Sequence, residues 1–299
     1  MRIQKAVDNY LEYQEVIGNT VSTIRHNKVH LQIFINWSGN IEMKSFTYDT
    51  YKNYILFLRH KKNSKNNKPL ASRTIFTYAE CLKAFIHYCE ENRIITNDVF
   101  SKIKLPKYQK KVIRILNENE IKAILGYFDI NSFYGARNDL IISLMLDCGL
   151  RLSEVTNLKF TDFQKERNVI LVNGKCQKQR FVPFSKNTQI YFDRYLSFFE
   201  NKFVPTQQFF VDIVGFPITN DAIKSFFQRM RNTLKIRDLH PHLLRHTFAT
   251  TFLLNGGDPI HLQIILGHST LTMTKNYVHI AGQISIAEQM KFSPLANLI

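Results

Sequence analysis

Apolar side chains recur along the first hundred residues at a helical spacing. Ile3, Val7, Tyr10, Leu11 and the segment to Val16 keep to one helix face, and Gly18-Asn19 ends that stretch. Thr20 stands where a second helix needs a cap, ahead of Val29, Leu31, Ile33, Phe34 and Trp37. A third helix is predicted over about 48–62, with Tyr51, Tyr54, Ile55 and Leu58 as its stripe. The polar run 63–69 breaks the pattern and predicts a loop. Ser72 then caps a fourth helix bearing Ile75, Tyr78, Leu82, Phe85, Ile86 and Cys89. Most of these aromatics are core by default. Residues 1–105 thus predict an all-helical domain, and 106–115 a linker without periodicity.

The pattern changes in the predicted second domain, 116–299. Asn117 and Glu120 have capping-box spacing, and an apolar helix is predicted over about 139–148, ending at Gly149. Val169-Ile170-Leu171-Val172 and Arg180-Phe181-Val182-Pro183-Phe184 are strand-like and flank a turn at 174–179. Helical spacing resumes over about 186–200, 220–235, 241–255 and 259–266. The fold class is therefore mainly α with a small β-sheet.

Charge narrows the partner. Lys plus Arg outnumber Asp plus Glu by 40 to 24, a net +16, and the pI is about 9.6. Residues 1–110 hold 18 basic and 9 acidic side chains and the remainder 22 and 15, so both domains are basic. A polyanion fits a clamp of this kind. No run approaches the roughly 18 apolar residues of a membrane span, so nucleic acid is a better partner than a membrane. The four cysteines, Cys81, Cys89, Cys148 and Cys176, show no CxxC spacing and suit reduced thiols in a cytoplasmic protein. Lys107 and Lys110, within the linker, suit a tether along a DNA backbone, though an ordinary linker has the same composition.

The chemistry gathers towards the C-terminus. Arg151 offers a guanidinium for two phosphate oxygens, or a salt bridge to Glu154 on its own helix. Lys175 stands at the predicted hairpin tip, with Lys178 and Arg180 beside it, in reach of a DNA groove or simply solvated. His242 and Arg245 share a helix face at i, i+3, and Pro241 suits the first turn. His242 and His246 have zinc-site spacing, but the intervening Leu243-Leu244-Arg245 supplies no glutamate and places a cation beside the would-be metal. No metal is expected, and His240 and His246 are left structural roles. His268 follows the helix-ending pair Leu266-Gly267, and Tyr277 lies nine residues on. A phenol with a reference pKa of about 10 becomes a nucleophile when cations hold a phosphodiester in line.

As an ordered set, four motifs resemble the tyrosine recombinases of the phage-integrase superfamily, in a two-domain Xer-like layout. They are Gly149–Glu154; Gly174-Lys175 with Lys178 and Arg180; His242 with Arg245 and His246; and Leu266-Gly267-His268-Ser269 followed by Tyr277. The resemblance spans about residues 1–285 and is weaker in the helical half. Cys176 departs from the usual glycine after the hairpin lysine, Asp147-Cys148 from the usual small residues, and Asn97-Asp98 from Asn-Pro.

The resemblance implies a SAM-like core-binding domain, a catalytic domain, and a six-residue active site of Arg151, Lys175, His242, Arg245, His268 and Tyr277. Tyr277 would attack DNA to leave a 3′-phosphotyrosyl link and a 5′-hydroxyl, with no cofactor. Arg151 and Arg245 would neutralise the phosphate, Lys175 protonate the leaving oxygen, His242 assist the tyrosine's proton transfer and His268 hold the phosphate. Lys178, Arg180, Lys107 and Lys110 would contact DNA. Expected partners are double-stranded DNA with inverted-repeat core sites and a tetramer of the chain itself, with scope for accessory proteins. The tail 284–299 would pack against a neighbouring protomer. The expected role is integration or excision of a mobile element, with Xer-type dimer resolution as the alternative. A type IB topoisomerase and a catalytically silent DNA-binding protein stand further off.

Overall fold

The computed structural model describes residues 1–63, 67–109, 114–174, 178–199, 207–268 and 270–284. Two compact units divide the chain, Met1–Lys111 and Val112–Ile299. The first packs four helices, α1 (Ile3–Val16), α2 (Val21–Ser38), α3 (Tyr48–His60) and α4 (Ser72–Glu91). Their apolar stripes close on Phe34, Phe46, Tyr54 and Phe85, all essentially inaccessible to solvent. Gly18 turns the chain at φ +78°, a conformation costly for a residue with a Cβ, and the Thr20 hydroxyl accepts from Thr23 N at 3.3 Å. Thr47 and Thr50 exchange hydrogen bonds as a capping box for α3. Ser72 is not the cap of α4. Ala71 holds that extended position, and Ser72 is already helical. Beyond α4, Tyr108 packs against Phe76 and beneath the Arg73 guanidinium at 4.4 Å. The segment expected to start a linker is thus pinned to the helical unit at least to Tyr108, while Lys107 is exposed.

The second unit contains α5 (Glu118–Leu125), α6 (Phe133–Asp147), α7 (Leu152–Thr156), β1 (Phe163–Gln164), β2 (Val169–Asn173), β3 (Gln179–Pro183), α8 (Lys186–Ser197), α9 (Asn220–Leu234), α10 (Pro241–Leu254), α11 (Pro259–Leu266) and α12 (Leu271–Ile284). Helix α6 is buried on every face from Gly135 to Met145. It begins six residues before the predicted start because Ser132 caps it, accepting from Gly135 N at 3.1 Å. The polar Arg137-Asn138-Asp139 run, which hides that start in the sequence, is folded inward. Arg137 donates to Val211 O at 2.8 Å and to the Asn138 side chain.

The strands form an antiparallel sheet in the order β1-β2-β3, with Ile170 opposite Val182 and Val172 opposite Arg180. β1, only two residues long, carries too little pattern to be predicted. Period-two alternation sends Ile170, Val172 and Val182 into the core. Arg180, two residues from Val182, takes the same face.

Candidate active site

The C-terminus of α11 organises the site. A helix ends with carbonyls that lack intrahelical partners and carry the negative end of the helix dipole. Gly267 turns out of α11 at φ +62°, and three successive carbonyls there each receive one arginine. Arg180 Nε donates to Ile265 O at 2.6 Å, Arg245 to Leu266 O at 2.8 Å, and Arg151 to Gly267 O at 3.4 Å. Arg245 also donates to Gly149 O at 2.5 Å. Gly149 sits at φ +62°, where an added Cβ would lie 2.4 Å from the Phe248 ring, so glycine is required.

One carboxylate balances these cations. Glu154, on α7, accepts a bidentate pair from Arg180 at 3.0 Å each, and the Arg151 guanidinium at 2.7 Å. It also accepts from Arg151 N at 2.8 Å, while Arg245 stands 3.9 Å away. Burial alone would raise the pKa of Glu154, but the hydrogen bonds and charge of Arg180 and Arg151 hold it below the ordinary value. Burial, then the charge of Arg151, lowers Arg245 to about 10, so it stays charged at neutral pH. Three guanidiniums against one carboxylate leave net positive charge in a low-dielectric site, suited to an anion such as a phosphodiester. Arg151 is the accessible member, 26% exposed at its side chain against 4% for Arg245.

Tyr277 of α12 faces this cluster and is 5% exposed. Its hydroxyl lies 2.8 Å from His246 Nδ1, and its ring stacks on His268 with 6.1 Å between centroids. Burial raises the phenol pKa, and Arg245 and Arg151 pull it back. His268 Nε2 is 3.2 Å from Arg245, and its Nδ1 is 3.0 Å from Thr274 Oγ1. An arginine only donates, so Nε2 accepts and the Nδ1 proton goes to threonine. As the side chains stand, His268 therefore orients Arg245. Donating to a phosphate would require a proton on Nε2. Burial, with Arg245 and Arg151, lowers His268 to about 4. Burial likewise lowers His246 to about 4, helped by His242 and His240, and lowers His242.

The structure thus gathers Arg151, Arg245, His268 and Tyr277 in one site, with His242 one helical turn before His246 on α10. Lys175 and Lys110 lie outside the described residues, as does the tail beyond Ile284. Lys178 is exposed. Arg180 differs from its expected place among the DNA contacts. Its guanidinium is 9% exposed and taken up by Glu154 and Ile265 O, so it positions the site from within. The signal was its shared strand parity with Val182. His240 caps α10, its ring accepting from Leu243 N at 3.2 Å. His246, expected to be structural, instead touches the candidate nucleophile. Its i, i+4 spacing from His242 marked the common face. Among the described residues no group of three His, Cys, Asp or Glu side chains is arranged to hold a metal, and no helix is long and apolar enough to cross a membrane.

Known proteins share this architecture. A model of the phage integrase family matches residues 114–283, and one of the phage integrase SAM-like domain matches residues 3–105. Tyrosine recombinase XerC of Oceanobacillus iheyensis is 28% identical over 304 aligned positions, covering 99% of this chain and 98% of the relative. XerC of Bacillus subtilis is 28% identical over 297, covering 96% and 92%. XerC of Chlamydia caviae is 30% identical over 242, covering 80% and 75%. Among solved structures, the Tn1549 transposon integrase in complex with transposon right end DNA has a TM-score of 0.77 at 19% identity, covering 96% and 99% of the two chains. XerH site-specific recombinase bound to difH substrate has a TM-score of 0.68 at 23% identity, covering 90% and 79%. These two likenesses concern the fold.

Proposed function

Since the chain belongs to the phage integrase family and is a tyrosine recombinase, an enzyme that cuts and rejoins DNA, we propose that it is a Xer-type site-specific recombinase resolving chromosome or plasmid dimers. The mobile-element role expected from the sequence gives way here, because relatives named XerC match the chain almost end to end. The observation that carries the chemistry is the Tyr277 hydroxyl, buried beside an arginine cluster with excess positive charge.

In this reading the scissile phosphate of a double-stranded core site enters on the Arg151 side. Arg151 and Arg245 offset charge as it builds on the nonbridging oxygens. Tyr277 attacks, a 3′-phosphotyrosyl link forms and the 5′-oxygen departs with a proton from Lys175. A 5′-hydroxyl from the partner strand then reverses the step, so bond energy is kept in the covalent link. Two inverted half-sites and a tetramer of this chain would make the exchange reciprocal. Exposed Lys107 and Lys178 supply phosphate contacts.

A nicked suicide duplex tests the reading. The full chain should trap a covalent adduct that Tyr277→Phe abolishes, and sequencing DNA bound by that variant in cells should recover a chromosomal or plasmid dimer-resolution site. An adduct surviving in Tyr277→Phe refutes the nucleophile, and enrichment at element ends refutes the Xer role.

A further inference from the structure

We infer that His246 is a further catalytic residue, the group that takes the Tyr277 proton in cleavage and returns it in rejoining. The inference rests on Tyr277 being the nucleophile. In cleavage the Tyr277 Oη–P bond forms as the P–O5′ bond breaks. The phenolic proton passes to His246 Nδ1, and the departing 5′-oxygen is protonated by the general acid proposed as Lys175. Rejoining runs the same transfers backwards.

Geometry singles out His246 among the histidines. Its Nδ1 is 2.8 Å from the Tyr277 hydroxyl, within the reach a general base needs. His242, the residue expected to assist this transfer, makes no hydrogen bond to Tyr277, and its ring centre lies 6.5 Å from that of His246. His268 meets Tyr277 face to face, with both its ring nitrogens engaged elsewhere. The titratable and charged groups around His246 are His242 and Arg245 on α10, His240 at its cap, and Tyr277 from α12. Burial and those neighbours keep His246 neutral, with a pKa lowered to about 4, so one ring nitrogen is free to accept, and the role requires that it be Nδ1. A phosphodiester anion held by Arg245 offsets the cation that helps depress it. The proton affinity of His246 therefore rises when substrate is in place.

Asparagine can present a polar atom near the place of Nδ1 without being able to take up a proton. His246→Asn should therefore bind the duplex normally yet cleave a nicked suicide substrate at least ~100-fold more slowly in a single turnover. Its rate should climb with pH where the wild-type rate is flat, as the phenol begins to ionise unaided. Fluorinated tyrosine at position 277, a more acidic phenol, should recover much of the loss in this variant. Cleavage by His246→Asn within about threefold of wild type overturns the inference, and so does a loss that fluorination leaves untouched. Should the variant not fold, nitrogen NMR of wild-type His246 decides. Protonation at Nε2 with a bare Nδ1 is expected, and a proton on Nδ1 overturns the role. A wild-type chain that forms no adduct rejects the nucleophile assignment itself.

Discussion

The two units treat buried polarity in opposite ways. Among the described residues the helical unit buries one polar side chain, Gln14, inside a core of aromatic and aliphatic groups. The second unit buries Arg137, Asp139, Glu154, Asp162, Arg245 and His268, among others. A core of the first kind is stabilised by packing and tolerates change in proportion to the volume removed. A core of the second kind holds charges whose desolvation only their partners offset, and removing one partner strands the rest. The catalytic unit therefore carries a standing cost for a cluster kept ready for an anion. The helical unit carries no comparable one.

The strongest way to break this contrast is Glu154→Gln. It leaves Arg151, Arg180 and Arg245 without their carboxylate and should cost about 3–5 kcal/mol, as loss of one member of a buried ion pair does. The sole tryptophan, Trp37, lies in the helical unit. Circular dichroism should therefore register early unfolding of the second unit while Trp37 fluorescence keeps its midpoint. Equal shifts in both signals would show that the units do not differ in this way.

Asp139 gives the next largest effect. It is fully buried, neither oxygen has a hydrogen-bond partner, and burial raises its pKa to about 7 despite Arg194. Its protonated form fits the fold, so its contribution is full below the unfolded value of 3.8 and is lost as pH rises through about 7. Asp139→Asn should be more stable than wild type at pH 8 by a few kcal/mol, on the order of 1.4 per pKa unit, with the gap closing towards pH 4. Urea unfolding at both pH values measures it, and matching curves at pH 8 would sink the idea. His246 and His268 act in the opposite sense. Their lowered pKa values give stability that is full above about 6.5 and lost as pH falls towards about 4.

The smallest change sharpens the comparison from the other side. Thr47→Ala removes a cap in the helical unit and should cost about 1 kcal/mol. It should move the Trp37 transition and leave covalent adduct formation by bound enzyme unaltered. A cleavage defect would tie the helical core to the chemistry.

Much of the helical unit was legible because its helices are amphipathic and its caps are local. Thr20 with Thr23, like Asn117 with Glu120 in the second unit, needs only three residues of sequence to be recognised. The start of α6 was not legible, since a buried helix has no polar face and its first turns carry Arg137, Asn138 and Asp139. Period-two alternation marked β2 and β3, but two residues cannot display a period, and β1 was missed. In the site, the order of arginines, histidines and tyrosine identified the chemistry. Their division of labour was less visible. Arg180 resembled a surface cation at a hairpin, and His246 an incidental neighbour of Arg245.

By itself the sequence determined most of the secondary structure and the family, and it named candidates for catalysis, because period, caps and motif spacing are properties of neighbouring positions. Tertiary structure alone decided that the end of α11 offers one carbonyl to each of three arginines. It alone decided that Glu154, already within local reach of Arg151, also binds Arg180, and that His246 meets a tyrosine 31 positions away. Those pairings depend on how α7, β3, α10, α11 and α12 pack, and burial then sets the charge state of each group they bring together.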